Sequence, residues 1–311
     1  MKIVFMGTPE IAIPTLEACI EHHEVIAVFT QPDRPSGRGK KMTPPAVKVT
    51  AEKHGIPVYQ PEKIKTDDWV RKIEAMAPDV IVVLAFGQIL SKAILEIAKY
   101  GAINVHASLL PKYRGAAPIN WAIVNGERES GVTTMQMDPG IDTGDMLLRD
   151  IVPIDQQMTA GELHDHLMVR GAALLLKTLE AAEAGMLNPE KQEEQQSSYA
   201  PMISRKMGDI KWSEAAGDIM NRIRGFNPWP ICYTQHAETR MKIFKAEAVA
   251  SEGNPQRSGE IIEVAPTYIK VACGEGALKI YEIQYGNGKR MSVKSFLLGH
   301  TLTCGEILKE A

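Results

Sequence analysis

Two polar side chains that suit one carbonyl oxygen stand two residues apart in the stretch Asn104-Val105-His106-Ala107-Ser108-Leu109-Leu110-Pro111-Lys112-Tyr113-Arg114-Gly115-Ala116-Ala117-Pro118-Ile119. Residues 102–107 read as a strand. Side chains alternate along a strand, so Asn104 and His106 project to the same side. In open α/β sheets ligands sit beyond the carboxyl ends of the strands. An amide donor and an imidazole therefore point together into one cleft. Residues 108–111 leave the strand irregularly and offer backbone donors and acceptors. A lone histidine is more often a core residue satisfied by backbone. The company of Asn104, the strand end and the Pro/Gly-rich loop that follows turn the reading towards chemistry.

A second strand ends in acidic groups, in Met135-Gln136-Met137-Asp138-Pro139-Gly140-Ile141-Asp142-Thr143-Gly144-Asp145. An aspartate here that meets His106 would fix its tautomer and raise its pKa, as an opposite charge does. Asp138 and Asp142 fit Asx-turns equally well. The first turn, Gly7-Thr8-Pro9-Glu10-Ile11-Ala12, sits where a dinucleotide fold places GxGxxG. Only one of the three glycines is present, which disfavours NAD and FAD. A supporting turn and a direct ligand contact both remain open for it. Residues 34–48 hold Arg34, Arg38, Lys40, Lys41 and Lys48 with no acid among them. Pro35, Gly37, Gly39, Pro44 and Pro45 argue against regular structure there. A mobile basic loop suits a phosphate-rich partner; a solvated loop is the bland alternative. His164 and His166 are two apart on a helical pattern and so face differently; with His22-His23 they read as helix surface, and no metal site is expected. Met135 and Met137 read as sheet core or pocket wall.

The elements that position these residues follow from periodicity. Residues 2–6, 24–30, 79–86, 102–107 and 131–137 read as strands. Residues 9–20, 46–54, 67–76, 91–99, 118–124 and 162–184 have helical spacing. The run 79–86 (DVIVVLAF) is almost wholly apolar, as a sheet covered on both faces demands. Strand and helix alternating this way mean a largely parallel sheet with right-handed crossovers. Residues 186–204 are polar and read as a linker. A short helix at 213–224 then precedes strands at 232–235, 241–248, 259–264, 268–273 and 277–284, separated by turn signals; that spacing suggests a small closed barrel. The expected architecture is α/β: a Rossmann-like, mostly parallel sheet domain over 1–185, a linker over 186–204, and a small OB-like β-barrel domain over 205–311.

Composition narrows the class. A chain of 311 residues with 44% hydrophobic and 23% charged residues is ordinary for a globular protein of two domains. Its net charge of −3 gives no global basic field. From Lys206 onward there are 14 Lys/Arg against 12 Asp/Glu, so the second part is mildly basic and the first carries the excess acid. Cys19, Cys232, Cys273 and Cys304 form no CxxC pair, which argues against a disulfide framework or zinc knuckle and for a reducing cytoplasm. Cys232 and Cys273 look like small buried hydrophobes. No apolar run approaches the ~18 residues of a membrane span, and no signal-peptide core stands at the start.

Taken together, Asn104-Val105-His106, the Ser-Leu-Leu-Pro run 108–111 with Arg114-Gly115, and Asp138 to Gly144 (DPGIDTG) resemble the formyltransferase family that uses 10-formyltetrahydrofolate. The resemblance covers essentially the whole chain. Two further stretches resemble the branch of that family that formylates methionine on initiator tRNA: Thr30 to Lys41 (TQPDRPSGRGKK) and Phe226-Asn227-Pro228-Trp229-Pro230. The resemblance implies a translation-initiation enzyme with Asn104, His106 and Asp142 as its catalytic trio. It implies folate contacts from the backbone of Ser108, Leu109, Leu110 and Pro111 and from a wall of Phe86, Gly87, Gln88, Ile89 and Leu90. Arg34, Arg38, Lys40 and Lys41 are the implied tRNA contacts, the second domain a tRNA-binding one. In formyl transfer an amine attacks the formyl carbon and negative charge grows on its oxygen, for which Asn104 and a protonated His106 are fitting donors. His106, Asp142 and a water all fit the role of base. A formyltransferase acting on a small amine would share the trio but need neither the basic loop nor a basic second domain. A hydrolase of the formyl carrier would need no amine site, and a non-catalytic RNA-binding protein would have no use for the trio.

Overall fold

The computed structural model describes residues 1–36, 39, 41–250 and 257–310. Chain contacts gather into two units: Met1–Pro118 with Glu129–Pro153 and His164–Ala200, and Ile119–Arg128 with Ile154–Leu163 and Pro201–Ala311. Two short pieces of the first 185 residues thus belong with the C-terminal unit.

The chain begins with β1 (Lys2–Gly7), a 3-10 turn at Glu10–Ala12, α1 (Ile13–His22) and β2 (Glu24–Phe29). A ribbon of β3 (Arg34–Ser36) and β4 (Lys41–Thr43) follows, then α2 (Ala46–Lys53), β5 (Val58–Tyr59), α3 (Asp67–Met76), β6 (Val80–Leu84) and α4 (Lys92–Leu95). Next come β7 (Ala102–His106), β8 (Arg114–Gly115), α5 (Pro118–Val124), β9 (Glu129–Gln136), β10 (Met146–Pro153), α6 (Ala160–Glu183) and β11 (Tyr199–Ala200). Seven of these strands form one sheet in the order β10-β9-β7-β6-β1-β2-β5. From β5 to β7 the neighbours are parallel. β9 runs antiparallel to β7, and β10 antiparallel to β9.

Connection length explains the switch. Parallel neighbours need a long crossover, usually a helix; residues 137–145 join β9 to β10 without one. β10 was not evident in the sequence because its polar and apolar residues do not sort by face: apolar Ile151 is exposed on the same face as Arg149, while Asp150 is half-buried on the other. β6 and β7 are buried along their whole length. Val4, Met6, Phe29, Ile81, Phe86 and Ile94 make one core, with Phe29 against Tyr59 and Trp69. The helix expected over 91–99 shrinks to α4, because the chain tightens at Ile97 N–H to Ile94 O (3.3 Å) and reverses through Gly101 at φ +65 to enter β7.

In the second unit α7 (Ala216–Gly225) precedes β12 (Cys232–His236), β13 (Thr239–Val249), β14 (Ile261–Val264), β15 (Ile269–Ala272), β16 (Ala277–Tyr285), β17 (Met291–Ser292), α8 (Val293–Leu297) and β18 (Leu308–Lys309). The sheet order is β14-β15-β16-β13-β12-β18, with β17 on β16. It curls until its ends meet at the Glu260–Ile307 bridge, where Leu308 N–H donates to Gly259 O at 2.7 Å. Trp212, Phe226, Ile243, Val271 and Ile280 fill the inside. The buried Arg224 at the end of α7 donates to the carbonyls of Asp155 (3.3 Å), Met158 (3.2 Å) and Ile123 (3.4 Å). Those bonds satisfy a buried guanidinium and explain why 119–128 and 154–163 pack with this unit. Cys19, Cys232 and Cys273 are buried and unpaired, and burial pushes the Cys19 and Cys273 thiols up to about 12. No helix among the described residues is long and apolar enough to cross a membrane.

Candidate functional site

Asn104 and His106 lie at the carboxyl end of β7, in register with Met135 and Thr133 of β9. They are 8% and 6% exposed, so their polar atoms must find partners inside the protein. Asn104 Nδ2 donates to Asp142 Oδ1 at 3.5 Å, and His106 Nδ1 stands 3.7 Å from Asp142 Oδ2. The structure therefore brings all three members of the expected trio together. The two acids of the DPGIDTG turn separate: Asp138 accepts from Thr143 Oγ1 (2.7 Å) and Gly140 N–H (3.1 Å) and only shapes the turn. Asp142 sits in the left-handed region at φ 54, a conformation aspartate tolerates better than most residues, and this turns its carboxylate towards β7.

The tautomer of His106 is set by a backbone carbonyl. Nε2 lies 2.9 Å from Tyr113 O. A carbonyl only accepts, so Nε2 carries the hydrogen and donates. Nδ1 is left as the nitrogen that can gain or lose a proton, facing the Asp142 carboxylate. The expectation that an aspartate fixes the tautomer is thereby corrected: at 3.7 Å Asp142 is too far for a hydrogen bond and close enough for an ion pair once Nδ1 is protonated.

Asp142 is held from several directions. Gly115 N–H donates to its Oδ2 at 2.8 Å. Gln192 Nε2 donates to the carbonyls of Asp142 (2.8 Å) and Gly144 (2.7 Å). The buried Arg114 in turn donates through Nε to Gln192 Oε1 (2.9 Å) and through Nη1 to Glu194 Oε2 (2.8 Å). Gly144 cannot take a side chain, since a Cβ there would overlap the Gln136 carbonyl. Gln192 and Glu194 escaped the sequence reading; they lie in the polar stretch read as a linker, with no spacing or composition that ties them to Asp142.

The implied folate contacts divide. Thr133, also missed, accepts from Leu110 N–H (3.1 Å) and donates to Ser108 O (2.7 Å), while Leu109 O accepts from Lys112 N–H (3.1 Å). Much of the 108–111 backbone is thus satisfied within the protein, and Ser108, Leu110 and Pro111 are buried with Leu109 half-buried. Residues 86–90 follow β6, the strand beside β7, so both segments leave the same end of the sheet. Phe86 and Leu90 belong to the core. Gln88 braces the segment, accepting from Ile64 N–H and donating to Pro61 O, both at 2.8 Å. Gly87 and Ile89 are exposed. Thr8 of the first turn donates to Phe86 O at 3.0 Å and accepts from Gln31 N–H at 3.3 Å, a supporting arrangement.

Arg34 and Lys41 are exposed on the β3–β4 ribbon, and Arg38 and Lys40 lie outside the described residues. Regular structure was not expected here; it forms because Pro35 needs no ladder donor in a two-stranded ribbon, where it pairs with Met42. Lys48 is not a loop cation: its ammonium meets Asp33 at 3.0 Å and Gln60 at 2.9 Å.

The formyl transferase family matches residues 1–179, and the formyl transferase C-terminal domain matches residues 202–301. The chain is 51% identical over 310 residues to a methionyl-tRNA formyltransferase of Clostridium beijerinckii, covering 99% of this chain and 100% of the relative. It is 52% identical over 312 residues to one of Clostridium acetobutylicum, covering 99% and 100%. Among solved structures it is similar in fold to an N-formyltransferase from Helicobacter canadensis in complex with folinic acid and dTDP-3-aminofucose. That match has a TM-score of 0.68 at 24% identity, over 90% of this chain and 98% of the other.

Proposed function

The chain belongs to the formyl transferase family, among its methionyl-tRNA formyltransferases, and from that premise we propose that Asn104, His106 and Asp142 carry its chemistry. The enzyme transfers a formyl group to the α-amino group of methionine on initiator methionyl-tRNA, giving the formylated aminoacyl-tRNA used to start translation. We take the formyl donor to be 10-formyltetrahydrofolate, the carrier of this family; the folinic acid in the Helicobacter canadensis protein supports that choice. No metal is needed for the steps below, and the cytoplasm is the compartment where such a substrate would be met.

The observation that carries the assignment is the geometry of His106. With Nε2–H committed to Tyr113 O, the exchangeable proton belongs to Nδ1, which faces Asp142. The amine nitrogen attacks the formyl carbon and the carbonyl oxygen becomes an oxyanion. Asn104 Nδ2, held to Asp142 only at 3.5 Å, exchanges that weak contact for a stronger bond to the oxyanion. Nδ1 accepts the proton that the attacking nitrogen loses, and the carboxylate of Asp142 stabilises the resulting imidazolium. The bond from the formyl carbon to the carrier nitrogen then breaks as that nitrogen takes the proton from Nδ1. A free α-amino group titrates near ~7.7–8.0, so part of it is already neutral at physiological pH. His106 thus suits the base better than Asp142, whose Oδ2 accepts from Gly115 N–H.

The folate lies, in this reading, against Ser108 to Pro111 and the wall of Phe86, Gly87, Gln88, Ile89 and Leu90, with exposed Gly87 and Ile89 offering direct contact. Arg34, Arg38, Lys40 and Lys41 hold the acceptor stem, and the domain over 205–311 binds the rest of the tRNA. The test is formyl transfer from 10-formyltetrahydrofolate to methionyl-tRNA beside uncharged tRNA and free methionine. Transfer to the charged tRNA alone supports the reading. Equal use of free methionine would remove the tRNA-binding roles while leaving the trio.

A further inference from the structure

We infer that residues 190–200 are a strap that positions the active site, with Gln192 and Ser198 as its positioning residues, an inference that rests on the catalytic reading of His106 and Asp142. The strap grips the site at three places. Gln192 Nε2 bonds the carbonyls on both sides of Thr143, at Asp142 O (2.8 Å) and Gly144 O (2.7 Å), and so holds the turn in which Asp142 keeps its left-handed backbone. Ser198 Oγ accepts from Tyr113 N–H at 2.9 Å, and Tyr113 O is the acceptor that orients His106. Tyr199 and Ala200 pair in parallel with Arg114 and Gly115, and Gly115 N–H is the donor that fixes the Asp142 carboxylate.

The Tyr113 carbonyl that orients His106 and the Gly115 N–H that orients the Asp142 carboxylate are thus both held by the strap. Arg114 completes the circuit: 7% exposed, it donates to Gln192 Oε1 and to Glu194 Oε2, so two strap residues close around one cation. The crossing at Gly115 is close. Its φ is +107, and a Cβ there would come within 2.6 Å of the Tyr199 ring and 3.0 Å of Ala200 O. A passive linker would leave these donors to water. Here the Gln192 amide donates to carbonyls of the turn that carries Asp142, and Ser198 Oγ accepts from the N–H of the residue whose carbonyl orients His106; misplacement of reacting groups by about an ångström costs on the order of a hundredfold in rate.

The test is steady-state formyl transfer by the full chain, with Gln192→Leu, Gln192→Glu, Ser198→Ala and Asp142→Asn, and with Gln192→Leu combined with Asp142→Asn. Gln192→Leu is expected to lower kcat about tenfold while KM for both substrates stays within about twofold. In the Asp142→Asn background the same substitution should cost almost nothing more, because the group it orients is gone. Gln192→Glu does not rescue, since a carboxylate oxygen then faces two carbonyls. Ser198→Ala removes one hydroxyl from an exposed residue, leaves the melting temperature in place, and should lower kcat a few-fold; it carries the test if Gln192→Leu does not fold. Wild-type kcat in both Gln192→Leu and Ser198→Ala, or equal losses from Gln192→Leu with and without Asp142, would overturn the strap. Wild-type turnover in Asp142→Asn alone would instead overturn the catalytic reading on which it rests.

Discussion

Among the described residues two histidine–carboxylate pairs join groups far apart along the chain, His106 with Asp142 in one unit and His236 with Glu306 in the other, and they are built to opposite ends. His236 of β12 is saturated: Nε2 lies 2.7 Å from Glu306 Oε2 and Nδ1 lies 3.0 Å from the Tyr285 hydroxyl. Glu306 also accepts from the Thr303 hydroxyl at 2.6 Å, and Tyr285 packs on Phe296, which stacks on His300 at 4.2 Å. One nitrogen of that imidazole ties the C-terminal segment to the barrel, and the other joins β12 to the end of β16. His106 has only Nε2 committed; its Nδ1 faces a carboxylate at 3.7 Å, beyond hydrogen-bond reach. A side chain that must gain and lose a proton during a reaction needs one nitrogen loosely held. One that joins strands does better with both nitrogens bonded. The difference accords with the proposed role of His106 in proton transfer and with a structural role for His236.

The contrast can be broken most severely at His106. His106→Ala should lower kcat by on the order of a thousandfold while the melting temperature and folate binding hold, because its contribution is realised in the transition state. Turnover near wild type would erase the distinction. His236→Phe should do the reverse, lowering stability by about 1–3 kcal/mol in denaturant melts through an unsatisfied Glu306 and Tyr285 while leaving kcat of the folded enzyme in place. Acid titration sharpens the same point. The Thr303 hydroxyl above all, and His236 after it, hold the Glu306 carboxyl below its usual range. The folded protein therefore binds fewer protons there than the unfolded chain. That stabilisation is whole above the ordinary glutamate range, about pH 4.3, and is lost as the pH falls through and below it. Glu306→Gln should flatten this part of the acid melt; an unchanged acid limb would show that the Glu306 contacts with Thr303 and His236 add no stability. The smallest effect belongs to Tyr285→Phe, about 1 kcal/mol from one hydrogen bond with no change in formyl transfer.

Much of the candidate site was legible in the sequence. Asn104 and His106 two apart in β7 project together because strand geometry leaves no other choice, and the near-continuous apolar run of β6 announced a sheet buried on both faces. The parallel order and the small second barrel followed from periodicity and turn residues in the same way. Asp138 and Asp142, four apart on one turn, were indistinguishable by type. Their separation into a turn former and a site member depends on Thr143 and Gly140 engaging one, and Gly115 and Gln192 holding the other. The polar stretch 190–200 shows the limit most clearly. Its composition is that of a solvated linker, yet Gln192 spends its amide on carbonyls at Asp142 and Gly144.

What the sequence determined by itself was therefore local. It set which segments form strands and helices, which face of β7 carries polar groups, and which residue types meet at the end of the sheet. Tertiary structure alone decided which aspartate approaches His106, which imidazole nitrogen keeps its proton, and what holds both in place. Periodicity constrains direction only within an element. Those choices turn on bonds between Gln192 and Asp142 or Ser198 and Tyr113, groups far apart along the chain, and a preference for such a pair exists only once packing has paid the entropy of bringing it together.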